Sequence, residues 1–113
     1  MSQITTHILD TSIGKPAAGV LVRLFAQTVG NGWDIIAEGT TNEDGRIPGF
    51  IHADQRLAPG RYKIHFDTGS YFQSKKIATF YPYVAVVFEL DTTQHHHVPL
   101  LLNPYGYSTY RGS

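Results

Sequence analysis

The chain contains no cysteine, which excludes disulfides, thiolate metal sites and cysteine nucleophiles together. It has no excess of either charge: nine Lys and Arg balance nine Asp and Glu, for a formal net charge of zero. That balance argues against nucleic-acid binding, which normally shows as a basic excess or stripe. It also gives little protection against self-association, so an oligomer is permitted. No apolar run approaches the length of a membrane span, and Met1 to His7 lacks the basic and apolar regions of a secretory signal. The ending Arg111-Gly112-Ser113 is not the Ser-Lys-Leu peroxisomal address. The expectation is a cytoplasmic protein with no nucleic-acid and no membrane partner. The standard catalytic and nucleotide-binding signatures are missing too: there is no Gly-x-Ser-x-Gly elbow, no His-Glu-x-x-His, no phosphate loop and no dinucleotide fingerprint.

What is present is enough apolar material for a folded core. Hydrophobic residues make up 42% of the 113 residues and charged residues 16%, a balance that fits one compact domain over residues 1–113. Repeats, low-complexity tracts and linkers are absent. Short segments with period-two alternation are separated by turn residues, the pattern of an all-β sandwich or barrel.

The expected strands are Ile4–Asp10, Val20–Gln27, Trp33–Thr41, Arg61–Asp67, a segment carrying Val84, Val86, Phe88 and Leu90, Gln94–Leu101 and Tyr105–Arg111. Gly14-Lys15-Pro16 and Asn42-Glu43-Asp44-Gly45 read as turns. The spacing of Tyr71, Phe72, Lys75, Lys76 and Ile77 predicts one short helix between Ser70 and Thr79. The count is roughly seven or eight strands with one helix.

Few residues remain that could carry chemistry. His95, His96 and His97 lie in one predicted strand, so His95 and His97 share a face and His96 takes the other. That pair could chelate zinc, although local sequence supplies no third ligand; it could do acid–base work; or it could simply sit on a strand surface. His7 lies on the same face of the first strand as Thr5 and Leu9, and could be either a hydrogen-bonded structural histidine or a catalyst. Arg46 follows a tight turn, where it is either a solvated charge or a fixed guanidinium able to stabilise an oxyanion. The C-terminal run places Tyr105, Tyr107, Thr109 and Arg111 on one face and Gly106, Ser108, Tyr110 and Gly112 on the other. Chain ends normally fray, so this aromatic and basic one is expected to dock.

Taken in order, these pieces resemble the 5-hydroxyisourate hydrolases, or transthyretin-related proteins, over essentially the whole length. The matching residues are Thr6-His7-Ile8-Leu9-Asp10, Gly14-Lys15-Pro16-Ala17, Asp44-Gly45-Arg46, Tyr71-Phe72, Phe80-Tyr81-Pro82, His95 to Leu102 and Pro104 to Ser113. The ending Tyr110-Arg111-Gly112-Ser113 resembles the mark that separates the hydrolases from transthyretin proper. The resemblance implies a transthyretin-like sandwich of two four-stranded sheets with one short helix. It further implies a homotetramer, a dimer of dimers with sites in the channel between dimers.

The implied reaction is hydrolytic ring opening of 5-hydroxyisourate to 2-oxo-4-hydroxy-4-carboxy-5-ureidoimidazoline in urate degradation, without cofactor or metal. Carried over residue by residue, His7, Arg46 and His97 fall on catalytic positions, and Tyr110 and Ser113 on positions that shape the substrate pocket. A histidine, His7 or His97, would activate water while Arg46 orients the substrate and offsets charge on its carbonyl oxygen. If the last strand stays regular, Tyr110 and Arg111 face opposite ways, and Tyr110 is the one expected to point into the pocket. Two departures stand out: His96 replaces the usual aromatic residue between the two histidines, and Asn103 replaces a commoner serine. A carrier of apolar ligands and a structural adhesion domain are the alternatives. A carrier would favour aliphatic or small hydroxyl residues at positions 7, 46 and 97.

Overall fold

The computed structural model describes residues 3–91 and 94–112. The strands are β1 (Ile4–Asp10), β2 (Lys15–Pro16), β3 (Leu21–Gln27), β4 (Trp33–Thr40), β5 (Gly60–Phe66), β6 (Val84–Leu90), β7 (His96–Asn103) and β8 (Gly106–Thr109), with one helix, α1 (Thr68–Ser74). They form two four-stranded sheets, ordered β2-β1-β7-β8 and β4-β3-β5-β6. The transthyretin-like sandwich expected from the sequence is therefore the observed architecture.

Alternation decides which side chains meet between the sheets. Ile4, Thr6, Ile8 and Asp10 of β1 are buried, and Thr5, His7 and Leu9 on its other face are not fully covered. Leu100 and Leu102 of the adjacent β7 lie beside them on the same inner face, and Val22 and Leu24 of β3 with Ile64 and Phe66 of β5 belong to the same core from the opposite sheet. Each such side chain contributes roughly 1.5–3 kcal/mol by burial. Substitutions on the outer face of β1 or β7 leave that sum untouched.

One pairing sets the geometry of the candidate site. β1 runs parallel to β7, with Thr5 opposite His97 and His7 opposite Pro99; the other strand pairs among the described residues are antiparallel. Parallel neighbours need long connections, so this register joins distant parts of the chain.

Several local expectations change. Lys15 and Pro16, read as a turn, pair with Asp10 and Leu9 as a two-residue strand. The helix is Thr68–Ser74 and starts before Ser70, because the Asp67 side chain accepts the Ser70 N–H at its N-terminus. The helix buries Tyr71 and Phe72. Tyr71 donates its hydroxyl to the fully buried Asp10 carboxylate at 2.8 Å, and the second oxygen of Asp10 accepts from the Ser12 N–H at 3.0 Å and from its hydroxyl. Burial, followed by the Asp10 contact, pushes the Tyr71 phenol above its ordinary pKa. The helix is thus pinned to the end of β1 through a satisfied buried carboxylate.

Candidate active site

Because β2 is so short, most of the free edge of β1 would be left unpaired. The turn at residues 42–46 fills it. The Asn42 side-chain oxygen accepts from the N–H groups of Asp44 and Arg46, at 2.9 and 3.1 Å, and the Asn42 N–H donates to the Arg46 carbonyl at 2.8 Å. Gly45 adopts φ +74°, and its carbonyl accepts the Ile8 N–H at 2.9 Å. A Cβ there would sit 2.3 Å from the Ile8 carbonyl oxygen, so only glycine allows the turn this close. The result is an antiparallel bridge between His7 and Arg46. Arg46 is exposed and lines a cleft of about 210 Å³ with Thr5, Thr6, Ile47, Pro48 and Gly49.

The other side of the site comes from β7 and the residue just before it. His95 and His97 point the same way, their ring centroids 6.2 Å apart. Thr5 lies between them: its hydroxyl oxygen is 2.6 Å from Nε2 of His95 and 2.8 Å from Nδ1 of His97. Burial lowers the pKa of His97, and the charges of Arg46, His95 and His7 lower it further. At neutral pH this imidazole is therefore unprotonated and able to take a proton.

His96 behaves differently, as strand alternation requires. It is buried on the core face, with Nδ1 2.8 Å from the Gln94 carbonyl oxygen and Nε2 3.5 Å from an Asp91 carboxylate oxygen. Among the described residues, no group of three His, Cys, Asp or Glu gathers in a metal-holding arrangement.

The C-terminal segment docks through β8 on β7 and through Tyr107, whose ring packs edge-on against Tyr81 at 5.2 Å. Tyr110 is 58% exposed and Tyr105 is 68% exposed. The last contact is made by Gly112, whose N–H donates to the His97 carbonyl at 2.8 Å. A Cβ on Gly112 would lie 2.6 Å from Cδ2 of His97 and 3.2 Å from Cγ, so the backbone of Gly112 covers that edge of the ring. β8 ends at Thr109, and the alternation that would separate Tyr110 from Arg111 does not extend to them. Both line a groove of about 210 Å³ with Val86, Phe88, His96 and Val98. Ser113 lies outside the described residues.

Of the residues singled out from sequence, His7, Arg46 and His97 are thus brought to one face of one sheet. Tyr110 is not brought to that face; it lines the groove with His96 and Val98, which project from β7 on the side opposite to His97. His95, read from sequence as sharing a face with His97, joins the cluster, and so does Thr5, which was not singled out. Their faces were legible, but the parallel register that sets Thr5 against His97 has no local sequence signal.

A sequence profile of the HIUase/transthyretin family matches residues 4–112. The chain belongs to the HIUase/transthyretin family. Among its members, the 5-hydroxyisourate hydrolase of Salmonella dublin is 50% identical over 111 residues, covering 97% of this chain and 80% of that protein. The solved structure of 5-hydroxyisourate hydrolase from Klebsiella pneumoniae superposes with a TM-score of 0.85 at 39% identity, covering 100% of this chain and 94% of that one. Transthyretin from Sparus aurata superposes with a TM-score of 0.93 at 31% identity, covering 99% and 97%. The backbone of this family is thus shared by proteins of both names. What distinguishes members must be sought in side chains.

Proposed function

We propose that this chain is a hydrolase that opens the six-membered ring of 5-hydroxyisourate, giving 2-oxo-4-hydroxy-4-carboxy-5-ureidoimidazoline in urate degradation. The observation that carries the reading is the convergence of His7, His97 and Arg46 on one sheet face, with His97 held neutral by its surroundings. The hydrolase names of its relatives point the same way. A carrier of apolar ligands has no use for two imidazoles and a guanidinium there.

The chemistry follows from these groups. A histidine of the pair His7 and His97 takes a proton from water as the water oxygen attacks the ring carbonyl. The carbonyl becomes an oxyanion that Arg46 offsets. Collapse restores the carbonyl and breaks the ring C–N bond, and the departing nitrogen receives the proton that the imidazole had taken. No redox equivalent is needed, and none of these steps calls on a metal or cofactor. Tyr110 and Ser113 close the substrate pocket in this reading.

The remaining parts of the reading concern the assembly. Residues 1–113 act as one hydrolase domain in a homotetramer, a dimer of dimers, working in the cytoplasm on a small molecule without nucleic-acid or membrane partners. The shallow cleft beside Arg46 supports this, because facing copies would enclose a face that a single chain leaves open. The deciding experiment adds the chain to 5-hydroxyisourate freshly made from urate and follows its ultraviolet absorbance against spontaneous decay. Acceleration supports the hydrolase; decay at the buffer rate refutes it. Sedimentation equilibrium tests the tetramer.

A further inference from the structure

The Thr5 hydroxyl touches a ring nitrogen of each of two histidines, and it has one proton to give. It can donate to only one of them, so the other must donate its own N–H to the Thr5 oxygen. The two hydrogen bonds therefore run in the same direction, and the tautomers of His95 and His97 are coupled. In one direction both rings carry their proton on Nδ1; in the other, both carry it on Nε2.

Bond lengths favour the first direction. A hydroxyl donor makes shorter bonds than an N–H donor. The shorter link, 2.6 Å, is Thr5 to His95 Nε2, and the longer, 2.8 Å, is Thr5 to His97 Nδ1. Thr5 then donates to His95 and accepts from His97. The surroundings of the His97 ring agree: Gly112 covers the Cγ–Cδ2 edge and Thr5 occupies Nδ1, leaving Nε2 as the nitrogen available to a reacting water.

We propose that Thr5 is a positioning residue, fixing His97 in the Nδ1–H tautomer so that its bare Nε2 is the base that takes the proton from water. The proposal rests on the hydrolase reading and deepens it, choosing His97 over His7 as the base. Only Nε2 changes protonation in the cycle. Nδ1 keeps its proton and Thr5 keeps accepting it, so the imidazolium forms without rearrangement of its partner. In the opposite direction His97 would present Nε2–H, a donor, and the base would have to be another group. The charged and titratable neighbours of His97 are Arg46, His95 and His7; burial first, and then the Arg46 guanidinium, lowers the His97 pKa and keeps the base neutral until water is in place.

The test uses the wild-type chain and two variants. Long-range proton–nitrogen correlation spectra of histidine-labelled wild type at neutral pH should show protonated Nδ1 and bare Nε2 for both His95 and His97. Thr5→Val keeps the β-branched shape and removes the hydroxyl. It should release the coupling, so that Nε2–H signals appear for His97, and lower kcat about 10-fold with KM little changed. Thr5→Ser should restore the wild-type tautomer and most of the lost turnover. A wild-type spectrum with Nε2–H on His97 overturns the proposal, whether or not the valine variant folds. So does a folded valine variant with wild-type kcat and pH profile. If the wild type fails to accelerate 5-hydroxyisourate decay, the hydrolase reading falls on its own account, while the spectrum still reports whether Thr5 sets the tautomer.

Discussion

Replacing Gly112 with alanine would test how the chain end holds the site together. The new Cβ would lie 2.6 Å from Cδ2, 3.2 Å from Cγ and 3.3 Å from Cβ of His97. Carbon atoms prefer to stay about 3.5–4.0 Å apart, so the closest contact falls short by about 1 Å. Two responses are open. The imidazole can move by about 1 Å, enough to cost about 10²-fold in rate through lost alignment. Alternatively, the chain end can lift off, losing the Gly112 N–H bond to the His97 carbonyl, a net of about 0.5–1.5 kcal/mol. Moving the ring would also disturb its 2.8 Å link to Thr5, whereas lifting off gives up one backbone bond, so G112A should undock its last residues and leave the sandwich intact.

Three measurements report the outcome. Activity should fall by about 10²-fold, since the His97 ring loses the backbone that covers it and with it its alignment. Tm should drop by no more than about 4–8 °C. The third is the pH profile. Burial is the main cause of the lowered His97 pKa, so exposing the ring should raise that pKa and move the acid limb of kcat/KM toward higher pH. A G112A variant with full activity and an unmoved acid limb would refute this account of the chain end.

Other consequences can be checked directly. His97→Ala removes the proposed base and should lower turnover by about 10²–10⁴-fold while the fold persists, read by initial rates and circular dichroism. Stability should also respond to His97: well above about pH 6.5 both folded and unfolded states hold it neutral, and it contributes nothing. As pH falls below that value, the unfolded chain takes up a proton that the folded site resists, so denaturant midpoints should fall more steeply in wild type than in His97→Ala. Gly45→Ala puts a Cβ 2.3 Å from the Ile8 carbonyl oxygen at φ +74° and should displace Arg46, removing most activity and costing at least about 1–3 kcal/mol in urea unfolding. Tyr71→Phe leaves an oxygen of the buried Asp10 without its 2.8 Å donor and should cost about 1–3 kcal/mol with little change in kcat.

Much of this site is legible in the sequence, because strand alternation is a strict rule. It placed His7 with Thr5, paired His95 with His97, and put His96 on the opposite face, which in the structure is the buried one, against Gln94 and Asp91. It failed where backbone geometry departs from a regular strand. Lys15-Pro16 reads as part of a turn because Gly14 supplies unusual dihedrals and Pro fixes its own φ, yet the pair lies at a sheet edge, where a proline is tolerated. The C-terminal tyrosines suggested a docked chain end, and Tyr107 does pack against Tyr81, but the last contact is made by a glycine whose lack of a side chain lets it approach an imidazole. Thr5 gave no signal of its own. A threonine in a β-strand is ordinary until the non-local pairing with β7 sets it against His97, and pairing between distant strands leaves no trace in local spacing.

That pairing also bears on the timing of assembly. Thr5 and His97 are 92 positions apart in sequence, and Thr5 and His95 are 90 apart, so closing their contact requires an ordering of nearly the entire chain. Contacts of such separation form late and slowly. During refolding, enzymatic competence should therefore lag behind the recovery of β-structure, making turnover a more stringent indicator of native topology than spectroscopic strand content.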